Sequence, residues 1–316
     1  MIRLVLQRLV MGLFTLFFVS GIVFVAVEAL PGDACTALLG RLASGQRLQN
    51  CRDDFQIERP ALTRYVEWTT GALRGDLGIS MKRNKPISDI VGTRLRNTLI
   101  LGLSATLIGV PLAIFLGVIA GLWRDRPPDL WVSMLAIIAM TVPEFVSATL
   151  LILVFSVWLG WLPGIVTTPP DAPLFEFLSD IILPVASLAL VMTAHILRMV
   201  RTSVINVMGS DYIQMATLKG VPYWRMVFRH VLPNALLPTI NLVALTIAWL
   251  LGGVVVIEVV FNYPGLGRLT IDAISDRDLA LVQAIALLLA TVYIGLNLFA
   301  DLLTLVANPR LRTMRQ

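Results

Sequence analysis

A chain of 316 residues with 57% hydrophobic and only 14% charged side chains departs from soluble composition, in which roughly 45–50% are apolar and about 25% charged. Its bulk belongs in lipid. The formal net charge of +5 is accounted for by lysines and arginines flanking apolar stretches, and requires no nucleic acid.

A helix needs about 20 apolar residues to cross a hydrocarbon core of ~30 Å. Six stretches qualify: Leu9–Leu30, Thr98–Trp123, Leu130–Trp161, Ile181–Val200, Pro233–Val260 and Leu281–Ala307. Barrel strands would instead alternate over ~10 residues, a pattern not found here. The expected fold is therefore an all-α integral membrane protein with a six-helix transmembrane bundle. The first stretch lies within residues 1–30 and follows Arg3 and Arg8. It is longer than the roughly 7–15 apolar residues of a signal peptide, and no A-x-A-like site follows, so it reads as a retained helix. Glu28, near its outer end, either reaches water or serves a site.

Pro31–Asn97 comes next, an extracytoplasmic region that could hold a few capping helices. It contains both cysteines, Cys35 and Cys51. Outside an inner membrane a disulfide persists, and closing this loop would stabilise by about 3 kcal/mol in the chain-entropy model. Two free thiols is the alternative.

Residues 98–307 form the remaining core. Gly102, Gly109, Gly117 and Gly121 in the second stretch suit close helix packing. In the third, Glu144 follows Pro143, where a proline frees a backbone carbonyl. That carboxylate either lines a kinked pathway or fixes helix packing. Trp161–Asp180 holds Pro163, Pro169, Pro170 and Pro173, which exclude a continuous helix. His195 near the end of the fourth stretch reads as a hydrogen-bonded structural residue, and Arg198 as a side chain reaching for the interface. Glu258, near the outer end of the fifth, lines an exit or gate, or bonds a neighbouring helix. Asn262-Tyr-Pro-Gly265 is a turn signal, and Leu266–Ile274 suits a short surface helix. Asn297 and Asp301 share one face of the sixth stretch and suit a helix–helix contact.

Lys/Arg bias sets orientation. With the N-terminus inside, the cytoplasmic pieces carry Arg124 and Arg126, then Arg198, Arg201, Lys219, Arg225 and Arg229, then Arg310, Arg312 and Arg315 in the tail 308–316. Short outer loops carry Arg268 and Arg277. Pro31–Asn97 is also basic, but loops above ~60 residues translocate largely regardless of charge.

Asp211–Pro238, DYIQMATLKGVPYWRMVFRHVLPNALLP, is polar and basic between two apolar stretches. Asp211 can cap a helix. Tyr212, Met215, Ala216 and Lys219 share a face. Gly220 stops that helix, and Pro222 suits the first turn of a second. The second helix should carry Trp224, Val227, Phe228 and Val231 on one apolar stripe, with Arg225 and Arg229 elsewhere. Two short helices about a glycine turn suit a groove in a cytosolic partner. An amphipathic helix resting on lipid headgroups is the other reading.

The segment resembles the EAA loop of binding-protein-dependent ABC importer permeases: Glu-Ala-Ala, three residues, Gly, nine residues, Ile-x-Leu-Pro. Gln214-Met215-Ala216, Gly220 and His230-Val231-Leu232-Pro233 occupy that spacing. Ala216, Gly220, Leu232 and Pro233 match, whereas Gln214, Met215 and His230 depart. His230-Val-Leu-Pro-Asn-Ala-Leu236 is close to the peptide-transporter form. Further stretches resemble the dipeptide/oligopeptide/nickel (Dpp/Opp B-type) branch. They are Leu30-Pro-Gly-Asp33, Arg74-Gly-Asp-Leu-Gly-Ile-Ser80, Arg198-Met-Val-Arg-Thr-Ser203, Asp211-Tyr-Ile213, Lys219-Gly220, Pro264-Gly-Leu-Gly-Arg268 and Asn308-Pro-Arg310. The Cys35–Cys51 stretch departs from that branch.

The resemblance implies a permease subunit of the bacterial inner membrane, multi-pass, with both termini cytoplasmic. It implies a second homologous permease subunit, two ATPase subunits and a periplasmic or lipid-anchored substrate-binding protein. ATPase coupling would fall to 211–233, through Asp211, Tyr212, Gln214, Ala216, Lys219, Gly220, Arg225, Leu232 and Pro233. The cargo would be di- or oligopeptides or related small solutes. No cofactor is expected on this chain. ATP and Mg would act in the ATPases, and the sequence agrees in having no G-x-x-x-x-G-K-[ST]. No H-E-x-x-H motif supports a zinc enzyme. A self-sufficient carrier would have no use for the 211–233 loop.

Overall fold

The computed structural model describes residues 2–29, 34–40, 43–54 and 58–307. Leu30-Pro-Gly-Asp33, Asn308-Pro-Arg310 and the tail 308–316 lie outside the described residues. In chain order the helices are α1 (Ile2–Glu28), α2 (Ala34–Leu39), α3 (Gly45–Asp54), α4 (Ala61–Leu73), α5 (Ile87–Leu122), α6 (Pro127–Thr141), α7 (Glu144–Leu151), α8 (Ile182–Met208), α9 (Asp211–Leu218), α10 (Tyr223–Met226), α11 (Leu232–Val260), α12 (Leu266–Ser275) and α13 (Leu279–Ala307). Among the described residues the only sheet is an antiparallel hairpin of β1 (Ile79–Ser80) and β2 (Lys85–Pro86).

Five helical stretches among the described residues are long and apolar enough to cross a membrane: Val5–Glu28, Ile87–Leu122, Ile182–Met208, Tyr223–Ile247 and Leu279–Leu302. A sixth is the bent pair of α6 with Glu144–Trp158. The third apolar stretch is thus not one straight helix: its halves meet at 108°. The cause is local. Val142 precedes Pro143, and the residue before a proline is pushed out of the α region. Val142 accordingly sits at φ −76, ψ 126, and α6 ends at Thr141.

The second span also differs from its sequence reading, since α5 begins at Ile87 rather than Thr98. At 36 residues it is about 54 Å long, more than the hydrocarbon needs.

The chain divides into two compact units whose boundaries fall inside α5, in the turn after α11 and inside α13. One comprises Leu99–Tyr263 with the chain from Leu296. Its centre is α8, with Leu188, Met192, Ile196, Leu197, Val200 and Val204 buried. α5 approaches α8 through glycines. A Cβ at Gly117 would meet the Val200 side chain at 2.7 Å and the Leu197 carbonyl at 2.8 Å, and one at Gly121 would meet Val204 at 2.7 Å. Contacts that close require glycine, which is how helices pack without a hydrophobic drive between them. In the same unit the proline-rich loop is pinned to the end of α11. The Val166 N–H donates to the Phe261 carbonyl at 2.8 Å, and Asn262 Nδ2 donates to the Val166 carbonyl at 3.0 Å.

The other unit comprises Ile2–Thr98 and Pro264–Gly295. Cys35 and Cys51 are disulfide-bonded, with Cα atoms 5.9 Å apart. Glu28, at the end of α1, pairs with Arg64 of α4 at 2.5 Å. The Tyr65 and Ser20 hydroxyls are 2.8 Å apart. A small core joins Ile87 and Val91 of α5 with Leu266, Leu269 and Ala273 of α12 and Leu281 and Ile285 of α13. The hairpin is fastened beside it by a polar cluster. The Ser80 hydroxyl donates to the buried Asp278 carboxylate, and Arg83 lies 3.3 Å from Asp276 and 3.8 Å from Asp278.

Candidate functional site: the loop between α8 and α11

α8 ends at Met208, and the chain restarts as α9 after Ser210, not Asp211. Ser210 takes the N-cap position with φ −77 and ψ 149, and its hydroxyl bonds back to the Val207 carbonyl at 2.5 Å. Asp211 is the first helical residue and exposed. A carboxylate there favours the positive end of the helix dipole, so it stabilises the start without capping it.

α9 stops by a Schellman arrangement. Gly220 adopts φ +73. Its N–H donates to the Thr217 carbonyl at 2.9 Å, and the next N–H, Val221, donates to the Ala216 carbonyl at 3.2 Å. This geometry satisfies two terminal carbonyls and favours glycine at the left-handed position. Gly220 thus sits inside the wider turn that the Val221 N–H and the Ala216 carbonyl close. Nothing lies within 4 Å of a Cβ at Gly220, so the constraint there is torsional, not steric.

Beyond the turn the chain forms α10, then a π-helical turn over Val227–Val231, then α11 without interruption. The second arm is therefore the leading end of the span helix and not a separate short helix. Pro233 would clash with the carbonyl four residues back in a regular α-helix, and the widened turn lies there. The same turn splits the expected apolar stripe. Its smaller rotation per residue carries Val231 round to the side of Val227. Val227 and Val231 are buried with Met226, whereas Trp224 and Phe228 are exposed.

The loop thus has an anchored side and a displayed side. Ile213, Met226, Val227 and Val231 enter the core. The Thr217 hydroxyl lies 3.4 Å from Met226 Sδ, and the Tyr212 hydroxyl donates to the His230 carbonyl at 3.3 Å. Displayed are Tyr212, Met215, Leu218, Tyr223, Trp224 and Phe228, with Leu218 82% accessible. The Trp224 ring centre lies 5.3 Å from that of Tyr223 and 6.1 Å from that of Phe228. Gln214, Lys219, Arg225, Arg229 and Pro233 are exposed as well, and Ala216 and Leu232 half-buried. Lys219, Arg225 and Arg229 form no ion pair among the described residues. Large exposed aromatics among unpaired cations mark an interaction surface.

The two candidate pathway carboxylates have different settings. Glu144 begins α7 at the 108° break. Its carboxylate packs on the backbone of α11, so close that a Cβ at Gly253 would meet Oε2 at 2.7 Å. It is half-buried and receives no hydrogen bond among the described residues. Glu258 is fully buried, and its backbone carbonyl accepts from the Tyr263 N–H at 2.8 Å.

Sequence reading missed Asp129. Its carboxylate is 1% accessible and receives Arg201 Nε at 2.5 Å and Nη2 at 2.7 Å, the Ser133 hydroxyl at 3.0 Å and the Asp125 N–H at 2.9 Å. This two-pronged clamp ties α6 to α8. The available signal was an acid just before one apolar stretch and an arginine just after another. No group of three His, Cys, Asp or Glu able to hold a metal exists among the described residues.

Residues 113–313 match the family described as binding-protein-dependent transport system inner membrane component, and residues 1–102 match the N-terminal family of such membrane components. The chain is 36% identical over 312 residues to the glutathione transport system permease protein GsiC of Escherichia coli strain K12, covering 99% of both chains. The protein of the same description from Shigella dysenteriae serotype 1 gives the same figures. Among solved structures, an amino acid ABC transporter crystallised with histidines aligns at TM-score 0.54 and 17% identity, over 69% of this chain and 94% of that one. The inward-facing MetNI methionine ABC transporter aligns at 0.51 and 17%, over 68% and 93%. These two likenesses bear on the fold.

Proposed function

Because the chain belongs to the family of binding-protein-dependent ABC importer permeases, in its Dpp/Opp branch, we propose that it is one of two homologous permease subunits that together pass short peptides inward. The cargo is delivered by an external binding protein. ATP and Mg act in two cytosolic ATPase subunits, one of which receives the Asp211–Pro233 loop of this chain. The reading is carried by the displayed side of that loop, aromatic and cationic, on a hydrogen-bonded glycine turn. A groove in a partner protein would bury Trp224, Phe228 and Leu218 while Lys219, Arg225 and Arg229 find carboxylates. A short peptide is favoured as cargo because GsiC, the glutathione permease, aligns end to end. In this arrangement both termini are cytoplasmic in the bacterial inner membrane, and the Cys35–Cys51 region faces the oxidising side.

Glu144 lies on the route in this proposal. An ionisable group within a membrane span is costly and marks a pathway by default, and an ammonium group passing the helix break would find an unpaired carboxylate. Glu144→Gln should slow uptake of peptides with a free amino terminus more than of N-acetylated ones. Equal slowing of both would remove Glu144 from the route.

The coupling test is peptide-stimulated ATP hydrolysis by the reconstituted complex. Gly220→Pro cannot adopt φ +73 and loses the N–H that closes the turn. Ala216→Trp puts bulk where the partner must approach. Both should insert normally and lose stimulation. Wild-type stimulation in both would sink the proposal.

A further inference from the structure

Between α6 and α8 lies a cavity of about 390 Å³. Ala136, Ile137, Met140 and Leu197 make its apolar wall, and Arg198 and Arg201 complete it. The arginines are not scattered along it. Arg201 is held at Asp129, and Met140 stands eleven residues further along α6, about 16 Å at 1.5 Å per residue. The cleft is therefore cationic towards one end and hydrocarbon-like towards the other.

The charges at the cationic end are unevenly satisfied. Asp129 is saturated by Arg201, Ser133 and the Asp125 N–H, and Asp125 itself pairs with Arg124. Arg201 gives Asp129 only its Nε and Nη2, and Nη1 has no hydrogen-bond partner among the described residues. Arg198 is exposed, and its guanidinium makes no hydrogen bond or ion pair among the described residues. Two guanidiniums against one buried carboxylate leave a net single positive charge facing the cleft.

We propose that this cleft holds one anionic phospholipid. Its phosphate sits on Arg198 and the free edge of Arg201, and one acyl chain lies along Ala136, Ile137 and Met140. Basic pockets between spanning helices recognise anionic headgroups, and guanidinium suits phosphate oxygens through paired N–H donors. A soluble anion would use the arginines but leave the apolar length of the cleft unfilled. A zwitterionic lipid would bring its own ammonium against the same arginines. Such a lipid would brace the α6–α8 contact beside the Asp129–Arg201 clamp.

The test uses the full-length chain with its partner subunits, purified from nanodiscs of equal parts phosphatidylcholine and phosphatidylglycerol, and native mass spectrometry of the lipid retained. Wild type should retain phosphatidylglycerol preferentially. Arg198→Gln should weaken that retention about fivefold, the loss expected for one basic residue at an anionic surface, and Arg198→Lys should keep most of it. Ile137→Trp, which fills the apolar end and leaves both arginines, should also expel the lipid. Unchanged retention in Arg198→Gln and Ile137→Trp, both melting as wild type, would overturn the proposal. Displacement by inorganic phosphate as readily as by phosphatidylglycerol would likewise overturn it, in favour of a site for the anion alone.

Discussion

At Ser80, Arg83 and Asp278 the chain encloses a carboxylate with its partners, whereas along Asp211–Arg229 it displays its charges. In the first region a hairpin with only two residues in each strand is too short to hold itself. It depends on a carboxylate hidden from water and reached by a hydroxyl and a guanidinium. Arg83 Nη1 is itself buried without a hydrogen bond, so its proximity to Asp278 is its compensation. In the second region the fold is set by backbone hydrogen bonds and four apolar anchors, and the charged side chains are left uncommitted. A polar group that serves the fold is paired and enclosed. One kept for a partner is solvated and unpaired. The difference predicts where substitutions act on stability and where they act on coupling.

The largest expected effect on stability is at Asp278. Removing its carboxylate leaves the buried Ser80 hydroxyl and the buried Arg83 Nη1 without their acceptor, at about 1–3 kcal/mol for each such group, although Arg83 keeps Asp276. Asp278→Ala should therefore lower the melting temperature strongly and open the 79–86 hairpin to proteolysis. A melting temperature within a degree or two of wild type would show that Asp278 is not the fastening. Next comes the disulfide. Its sixteen-residue separation corresponds to about 3 kcal/mol of chain entropy, which should act locally on α2 and α3. Cys35→Ser with Cys51→Ser should speed proteolysis of 34–54 and leave peptide-stimulated ATP hydrolysis unchanged. Two alkylatable thiols in the non-reduced protein would refute the bond.

Gly220→Ala should cost less, about 1 kcal/mol, the penalty for an L-residue held in the left-handed region, since open space around it adds no clash. If alanine there proved as damaging as proline, the constraint would have to be steric contact with a partner and not the turn itself.

These contrasts also explain what could be read from the sequence. Span positions are legible because apolar length is a property of consecutive residues, and the end of α9 at Gly220 because its motif lies within one turn. Pro143 suggested a kink in the third span, but not a full break at 108°, an angle that depends on what each half packs against. The Trp224–Val231 stripe was misread because period counting assumes an unbroken α-helix, and Val227–Val231 is not one. Asp129 was missed because its partner is 72 positions away. Nothing local distinguishes a carboxylate that will be clamped from one left in water. For the same reason the sequence pointed to Glu144 but gave no hint of its contact with Gly253.

The smallest expected effect on stability is at Trp224 and Phe228, and it bears most directly on the comparison. Both rings are more than half accessible, at 56% and 66%, so removing them strands no charge and opens no core cavity. Surface changes of this kind stay within about ±0.5 kcal/mol. Yet buried aromatics dominate interfaces, and truncating one costs at least ~2 kcal/mol of binding where it is an anchor. Trp224→Ala and Phe228→Ala should therefore melt as wild type while co-purified ATPase falls more than tenfold in each. Val227→Ala, one residue away but facing the core, should do the reverse, with a lower melting temperature and ATPase retained in whatever remains folded. If all three variants lost stability and partner together, the loop would have no separate displayed side. Its aromatics would then belong to the fold or to the lipid surface, and not to a docking face.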